Sequence, residues 1–171
     1  MVRKILKYGE PVLERAAEPV TEFGTRELET LIEDMWETMY GAKGVGLAAP
    51  QIGMSKRISV IDTSVGEDES KKIVIINPEV MTREGKQTGE EGCLSIPGFR
   101  EPVTRANSVT VSAQNEKGGK VELAGDELLA RAFQHEIDHL NGILFINHLS
   151  TLKRDIIRRK IKKLQKAGEW D

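Results

Sequence analysis

The feature that most constrains the fold is the stretch RAFQHEIDHLNG at residues 131–142, which contains the pattern H-E-x-x-H. On an α-helix, His135 and His139 lie one turn apart and point the same way, so both imidazoles can ligate one metal ion. Glu136 lies roughly 100° away around the axis, too far to be an equal third ligand but well placed to contact water on that ion. The pattern therefore predicts a helix that carries a hydrolytic metal site.

A helical wheel indicates that this helix, expected from about Asp126 to Asn141 with Gly142 as its stop, is not a solvated one. Both histidines and Glu136 fall within its apolar arc, which contains Leu128, Leu129, Ala132, Phe133, Ile137 and Leu140. The opposite side holds Arg131, Gln134, Asp138 and Asn141. The alternative, two hydrogen-bonded histidines beside a surface glutamate, fits the wheel poorly, because a buried carboxylate requires compensation.

Two histidines do not complete a catalytic site, which usually offers three protein ligands and one position for water. Cys93, in the stretch EEGCLSIP at residues 90–97, is a candidate third ligand because a thiolate is a soft anionic donor. A lone cysteine is more often a small buried apolar residue. The only other histidine, His148, is expected to be structural or to face solvent.

The stretch GVGLAAPQIG at residues 44–53 lacks the residues of a phosphate-binding loop. It is interpreted either as a tight connection between a helix and a strand, or as a backbone wall beside the metal site. In the second interpretation Gln51 presents an amide donor.

The whole chain, residues 1–171, is expected to form one α+β domain. Thr25 is predicted to cap a helix that begins near Arg26, and a last helix is predicted at about 150–166. Antiparallel β-sheets are expected to pack around the central metal-binding helix, between this N-terminal helix and the C-terminal helix. Their predicted strands lie in RISVIDT, KIVIINP, NSVTVSAQN and GGKVELAG.

The composition limits the cellular location and the binding partners that are expected for this protein. The net charge of −2 implies no global attraction to DNA, and no apolar run approaches the roughly 20 residues of a membrane span. One cysteine excludes an intramolecular disulfide, and the first residues do not resemble a signal peptide. The expected location is the cytoplasm.

Read together and in order, GVGLAAPQIG, EGCLS and QHEIDHLNG closely resemble the three signature motifs of the peptide deformylases. The resemblance extends over essentially the whole chain. It implies a metal-dependent hydrolase that removes the formyl group from N-formylmethionine at the start of nascent polypeptides.

The resemblance also implies roles for individual residues. The metal ligands would be Cys93, His135 and His139, with Glu136 as the general acid/base. Gln51 and the backbone N–H of Leu94 would hold the formyl oxygen, and the peptide would bind as an added strand along Val45, Gly46 and Gly92. Family likeness favours one ferrous ion (Fe2+) per chain, while the donor set also suits Zn2+, Ni2+ or Co2+.

The predicted C-terminal helix is basic although the whole chain is slightly acidic. This pattern is typical either of a solvated helix face or, because such helices can contact the ribosome in deformylases, of a ribosome-binding helix, so the ribosome is a candidate partner alongside the nascent peptide. Two other functions remain open at this point. One is a zincin-type metallopeptidase, which would need a further downstream ligand, and the other is a non-enzymatic RNA-binding module with a structural zinc site, which usually has four protein ligands.

Overall fold

The computed structural model describes residues 1–171 and contains three α-helices. Helix α1 spans Arg26–Gly41, α2 spans Glu127–Leu140 and α3 spans Thr151–Lys166. The Thr25 side chain accepts a hydrogen bond from the Leu28 N–H, and the Ser150 side chain caps α3 in the same way. The three predicted helices are confirmed, with boundaries within one or two residues of those expected.

Seven strands form two antiparallel sheets. The five-stranded sheet has the order β1-β2-β3-β6-β7, and the second sheet is the hairpin β4-β5. The strands are β1 Gly46–Ala48, β2 Ile58–Ile61, β3 Ile73–Glu84, β4 Gln87–Cys93, β5 Ile96–Arg105, β6 Ser108–Gln114 and β7 Lys120–Asp126. The predicted α+β class with antiparallel sheets is therefore confirmed.

The four predicted strands correspond to β2, β3, β6 and β7, but β1 and the β4-β5 hairpin were not predicted. The segment QTGEEGC is rich in glycine and glutamate, and IPGFREPVTR contains two prolines, so neither has a typical strand composition. Their extended conformation comes from pairing with each other across a tight connection, where Cys93 lies opposite Ile96. The hairpin thus brings Cys93 to the end of a strand.

Helix α2 lies between the large sheet and the hairpin, and its apolar side packs on the sheet. The apolar cluster on that side joins α2 with β2, β3 and β6 through Ile61, Ile75, Val109, Val111, Ala130, Phe133 and Ile137. A second cluster packs α1 on the sheet, and a third joins α3 to the hairpin and to residues 144–146. Each of the three helices therefore contributes to a separate apolar cluster.

The polar side of α2 is also largely covered. Arg131 and Gln134 are buried, and Asp138 is only partly accessible. Leu128, which falls in the apolar arc, is instead half exposed at the rim of a cavity. The helical wheel separates apolar from polar residues correctly but does not reveal that the polar side packs on the hairpin. No helix of the chain has the length and apolar character needed to cross a membrane.

Candidate metal centre and active site

Three potential metal donors converge between α2 and the end of β4. The Cys93 Sγ lies 3.3 Å from the His139 Nε2, which lies 3.1 Å from the His135 Nε2. The three donor atoms all lie within 4.8 Å of one another. The spacing of the histidines on one helix and the hairpin geometry of Cys93 together produce this convergence, which was expected from the sequence.

The two histidines differ in what holds their other ring nitrogen. The His135 Nδ1 lies 2.8 Å from the Glu91 carboxylate, which fixes the tautomer and leaves the Nε2 lone pair free to face the cluster. The His139 Nδ1 is buried and has no hydrogen-bond partner. Glu91 therefore orients one of the two imidazoles directly.

Glu91 is the main residue of the site to which sequence reasoning assigned no role. Its carboxylate accepts hydrogen bonds from Arg105 at 2.6 and 3.1 Å and from the Arg131 Nη1 at 2.7 Å. Arg105 also contacts Asp138 at 2.6 Å, and Asp138 lies 2.8 Å from the His148 Nε2. The only available signal was the position of Glu91 inside the EGCLS motif, two residues before Cys93.

Glu136 is buried beside the donor cluster and close to β1. The nearest side-chain donor is the Ser59 hydroxyl, 3.5 Å from its carboxylate. A Cβ added to Gly46 would come within 2.5 Å of the Glu136 Oε2, so only glycine leaves room for the carboxylate at this position. A glycine of the first motif therefore sets the position of the acid in the third motif.

Gln51 and Ser95 surround the Cys93 sulfur. The Gln51 amide accepts from the Ala48 N–H at 2.9 Å, and its Nε2 donates to the Ser95 Oγ at 3.0 Å and faces the Cys93 Sγ at 3.6 Å. The Ser95 N–H donates to the same sulfur at 3.4 Å. The Leu94 N–H, between these residues, has no hydrogen-bond partner within the chain. These N–H groups are placed to receive an anionic oxygen.

An open cavity of about 470 Å3 lies over the donor cluster. Its walls come from the segment before β1, the outer edge of β4, the start of β5 and one side of α2. The lining includes Gly44, Val45, Gly46, Gln51, Gly92, Cys93, Leu94, Phe99, Leu128, His135 and Glu136. The structure therefore brings all the candidate residues but His139, which is buried at the base of the cluster, to this cavity wall.

The buried ionisable groups of the site have pKa values shifted in opposite directions. Burial raises the pKa of the Glu136 carboxyl to about 7 and lowers the pKa of His139 well below its ordinary value. Burial opposes ionisation of Glu91, but hydrogen bonds from His135 and Arg105 outweigh it, and the pKa of Glu91 lies well below its ordinary value. Burial would also lower the pKa of His135, yet contacts with Cys93 and Glu91 raise it. A divalent cation fits this environment, since Cys93, His135 and His139 could hold it and it would supply positive charge in a buried site.

His148, expected to be structural or to face solvent, is not part of the donor cluster. It lies away from the donor cluster and contacts Asp138 on the other side of α2, with its side chain 37% exposed. A cysteine and two histidines beside a buried carboxylate define the class of mononuclear metallohydrolases, with an accessible cavity where a structural zinc site would be closed.

Comparison with known proteins gives the family. The family model described as "Polypeptide deformylase" matches residues 2–155. A peptide deformylase of Acidobacterium capsulatum is 61% identical over 170 residues, which cover 99% of both chains. The peptide deformylase of Nitrosococcus oceani is 50% identical, with 98% of each chain covered.

Solved structures agree with this result. A crystal structure of a peptide deformylase from Legionella pneumophila superposes with a TM-score of 0.91 at 48% identity, covering 100% of this chain and 99% of the other. The peptide deformylase of Thermus thermophilus gives a TM-score of 0.85 at 46% identity, covering 95% and 94%. The chain belongs to the polypeptide deformylase family, metal-dependent hydrolases that remove the N-formyl group from nascent peptides. Family membership decides against the zincin-type peptidase and the RNA-binding module.

Proposed function

We propose that Cys93, His135 and His139 hold one divalent metal ion and that Glu136 is the general acid/base of deformylation. The convergence of the three donor atoms is the observation that carries this assignment. Such an ion, when bound, acts as a Lewis acid and makes water acidic enough to ionise near neutral pH. The contact of the His135 Nδ1 with Glu91 supports this assignment, because it holds the ring with its Nε2 toward the other donors.

Glu136 moves the proton in this proposal. Its carboxylate accepts a proton from the attacking water and returns it to the amine that leaves from the formyl carbon. Burial among apolar residues and the close approach of Gly46 hold the carboxylate at the cavity wall. Two other carboxylates line the cavity, but Glu91 is already bound by two arginines and the Glu90 side chain is 68% exposed.

Gln51 and the Leu94 N–H hold the formyl oxygen as negative charge develops on it. The free Leu94 N–H and the Gln51 Nε2 both lie beside Cys93, which supports a shared role as donors. Donors of this kind typically contribute a factor of about 10²–10³ to kcat. The Ala48 and Ser95 contacts at the two ends of the Gln51 amide keep it from rotating.

The peptide binds as an additional strand along Val45, Gly46 and Gly92. Strand β1 is the outermost strand of the large sheet, and β4 pairs only with β5, so each presents an unpaired edge toward the cavity. An extended peptide can hydrogen-bond to such edges, while the methionine side chain enters the apolar part of the cavity. The filled space beside Gly92, where Arg100 would contact an added Cβ at 3.0 Å, favours backbone over side-chain recognition there.

Ferrous iron is the proposed physiological metal, with zinc, nickel and cobalt as substitutes. Because a thiolate and Fe2+ both react with oxidants, the ferrous protein should lose activity in air. Anaerobic purification, metal quantification and a formyl-Met-Ala-Ser assay test this, with N-acetyl-Met-Ala-Ser as the matched substrate control. Equal activity of anaerobic and air-exposed protein, with zinc as the bound metal, would contradict the iron assignment.

We also propose that residues 1–171 act as one catalytic domain in the cytoplasm, where nascent chains are made. Helix α3 packs its buried residues Ile157 and Ile161 into the cluster that backs Cys93, which supports a single unit. The outer side of α3 is basic and exposed, and we propose that it contacts ribosomal RNA. Its exposed cations are Lys153, Arg159, Lys160, Lys162, Lys163 and Lys166.

Charge substitution tests ribosome contact better than truncation, because removing α3 would uncover the cluster behind Cys93. Changing Lys160, Lys163 and Lys166 to Gln should weaken ribosome binding and make it less dependent on salt, with turnover of a short formyl peptide unchanged. The matched control changes three exposed lysines elsewhere, at positions 56, 71 and 117. Equal loss of ribosome binding in both triple variants would show that only net charge matters.

A further inference from the structure

Trp170 is a buried aromatic residue that the catalytic site does not use directly. It lies beyond the end of α3 and of the predicted C-terminal helix, yet its side chain is just 5% exposed. It packs in the apolar cluster that contains Ile96, Val103 and Phe145. A short polar segment at the end of a chain is expected to lie at the surface, so the burial of Trp170 requires an explanation.

Hydrogen bonds connect Trp170 to Tyr8 in the first part of the chain. Its indole Nε1 donates to the Tyr8 carbonyl oxygen at 2.8 Å, while the Tyr8 hydroxyl accepts from the Arg158 Nε at 3.1 Å. The Tyr8 N–H in turn donates to the Ser95 carbonyl oxygen at 2.8 Å. Through Tyr8, the segment after α3 is thus attached to the turn that follows Cys93.

Trp170 also contacts the cavity wall. Its ring meets Phe99 edge-on, with centroids 6.3 Å apart and an angle of 61° between the planes. Phe99 lies near the start of β5, after Gly98, and lines the cavity over the metal donors. Both rings therefore pack in the apolar cluster, and Phe99 also lines the cavity.

We propose that Trp170 is a positioning residue for substrate binding, which holds Phe99 and the start of β5 in the conformation that receives the peptide. The proposal rests on the assignment of this cavity to the formyl-methionyl peptide. Trp170 does not touch the reacting atoms, so its loss should alter binding more than the chemical step. An aromatic pair in this geometry typically changes an equilibrium about three- to tenfold.

Kinetics of Trp170→Leu and Phe99→Leu test the proposal. Each substitution should raise KM for formyl-Met-Ala-Ser about three- to tenfold, a range expected for one aromatic contact, while kcat stays within about twofold. The double variant should have nearly the KM of either single variant, because both substitutions remove the same contact. Multiplying effects in the double variant, or an unchanged KM in Trp170→Leu, would overturn the proposal.

A control and a second measurement separate positioning from general destabilisation. Leu28→Ala, in the cluster that packs α1, should lower the melting temperature without raising KM. The chain has two tryptophans, so Trp36→Phe leaves Trp170 as the only indole reporter. Titration of this variant with methionine hydroxamate, which carries the methionine side chain and a metal-chelating group, should shift the Trp170 emission saturably, and no shift would contradict the proposal.

The fluorescence titration requires no turnover, so it remains informative if Trp170→Leu does not fold. Wild-type protein that fails to deformylate formyl-Met-Ala-Ser would disprove the proposed site roles. Normal wild-type turnover together with a wild-type KM in Trp170→Leu would instead disprove only the positioning role.

Discussion

The two sides of α2 bury polar residues for different purposes. On the side facing the cavity, His135, His139 and Glu136 surround a space that a metal ion and substrate can occupy. On the side facing the β4-β5 hairpin, each side-chain nitrogen of Arg131 and Gln134 donates to a protein partner. The side facing the cavity leaves its metal-binding atoms available, whereas the polar groups on the side facing the hairpin are already hydrogen-bonded.

Helix α2 connects the metal-binding residues to the hairpin through hydrogen bonds on its polar side. Gln134 pairs with both backbone groups of Ala106, at 3.0 Å each, and Arg131 donates to Glu91 and to the Val103 carbonyl oxygen. These bonds hold the hairpin that carries Cys93 against the helix that carries the histidines. Glu91 of β4 links the two sides of α2, because its carboxylate binds Arg105 and also contacts the His135 ring.

The largest expected effect is the loss of the proton-transfer group on the cavity side. Glu136→Ala should lower kcat/KM by about 10²–10⁴, the usual contribution of a general acid/base, and should retain the metal. Metal quantification and steady-state kinetics on the same preparation check this. A metal-free Glu136→Ala protein would contradict the separation of ligand and base.

A smaller effect is expected when the carboxylate is displaced rather than removed. Gly46→Ala places a Cβ against the Glu136 carboxylate, which must move. A misplacement of about 1 Å can lower activity roughly 10²-fold, and we expect a loss of this order with the metal retained. Gly41→Ala, which has open space around the added Cβ, is the matched control and should have wild-type kinetics.

Glu91→Gln tests the point where both sides of α2 meet. Losing the carboxylate should weaken metal affinity about 10–100-fold, because His135 loses its orienting partner. It should also lower the free energy of unfolding by about 3–5 kcal/mol, because Arg105 and Arg131 remain buried without their shared anion. Chelator competition and urea unfolding measure the two effects.

Glu90→Gln is the control for this substitution. Glu90 faces Arg100 at 3.7 Å, and both side chains are more than half exposed. Exposed pairs contribute about 0–1 kcal/mol, so neither metal affinity nor stability should change much. Similar losses in both variants would mean that charge near Cys93, rather than the contact with His135, supports the metal.

The smallest effect is expected on the side that faces the hairpin. Gln134→Leu removes the side-chain partner of the Ala106 N–H and leaves the Ala106 C=O with Gln87 alone, and it should destabilise the fold by about 1–3 kcal/mol. Because Gln134 does not face the cavity, kcat at temperatures well below unfolding should remain near wild type. A large fall in kcat without a fall in stability would show that the two sides of α2 are not separable.

Local sequence patterns determined much of this protein. The helix boundaries follow from Thr25 and Ser150 as caps, and the 3.6-residue period places His135, His139 and Glu136 correctly. The convergence of Cys93 with the histidines was predicted because two histidines leave a catalytic metal site one ligand short, and because the motifs resemble those of the deformylases. The order of the motifs was sufficient to assign the deformylase family, which the comparisons confirm.

Only the tertiary structure decided the rest. The strand conformation around Cys93, the burial of Arg131, the role of Glu91 and the contact of Trp170 with Phe99 all depend on partners far away in the chain. Periodicity reports which residues share a side of one element, but it carries no information about what packs on that side. A polar residue is therefore expected at the surface until its buried partner is known, which is why the support of the metal site was not predicted from the sequence.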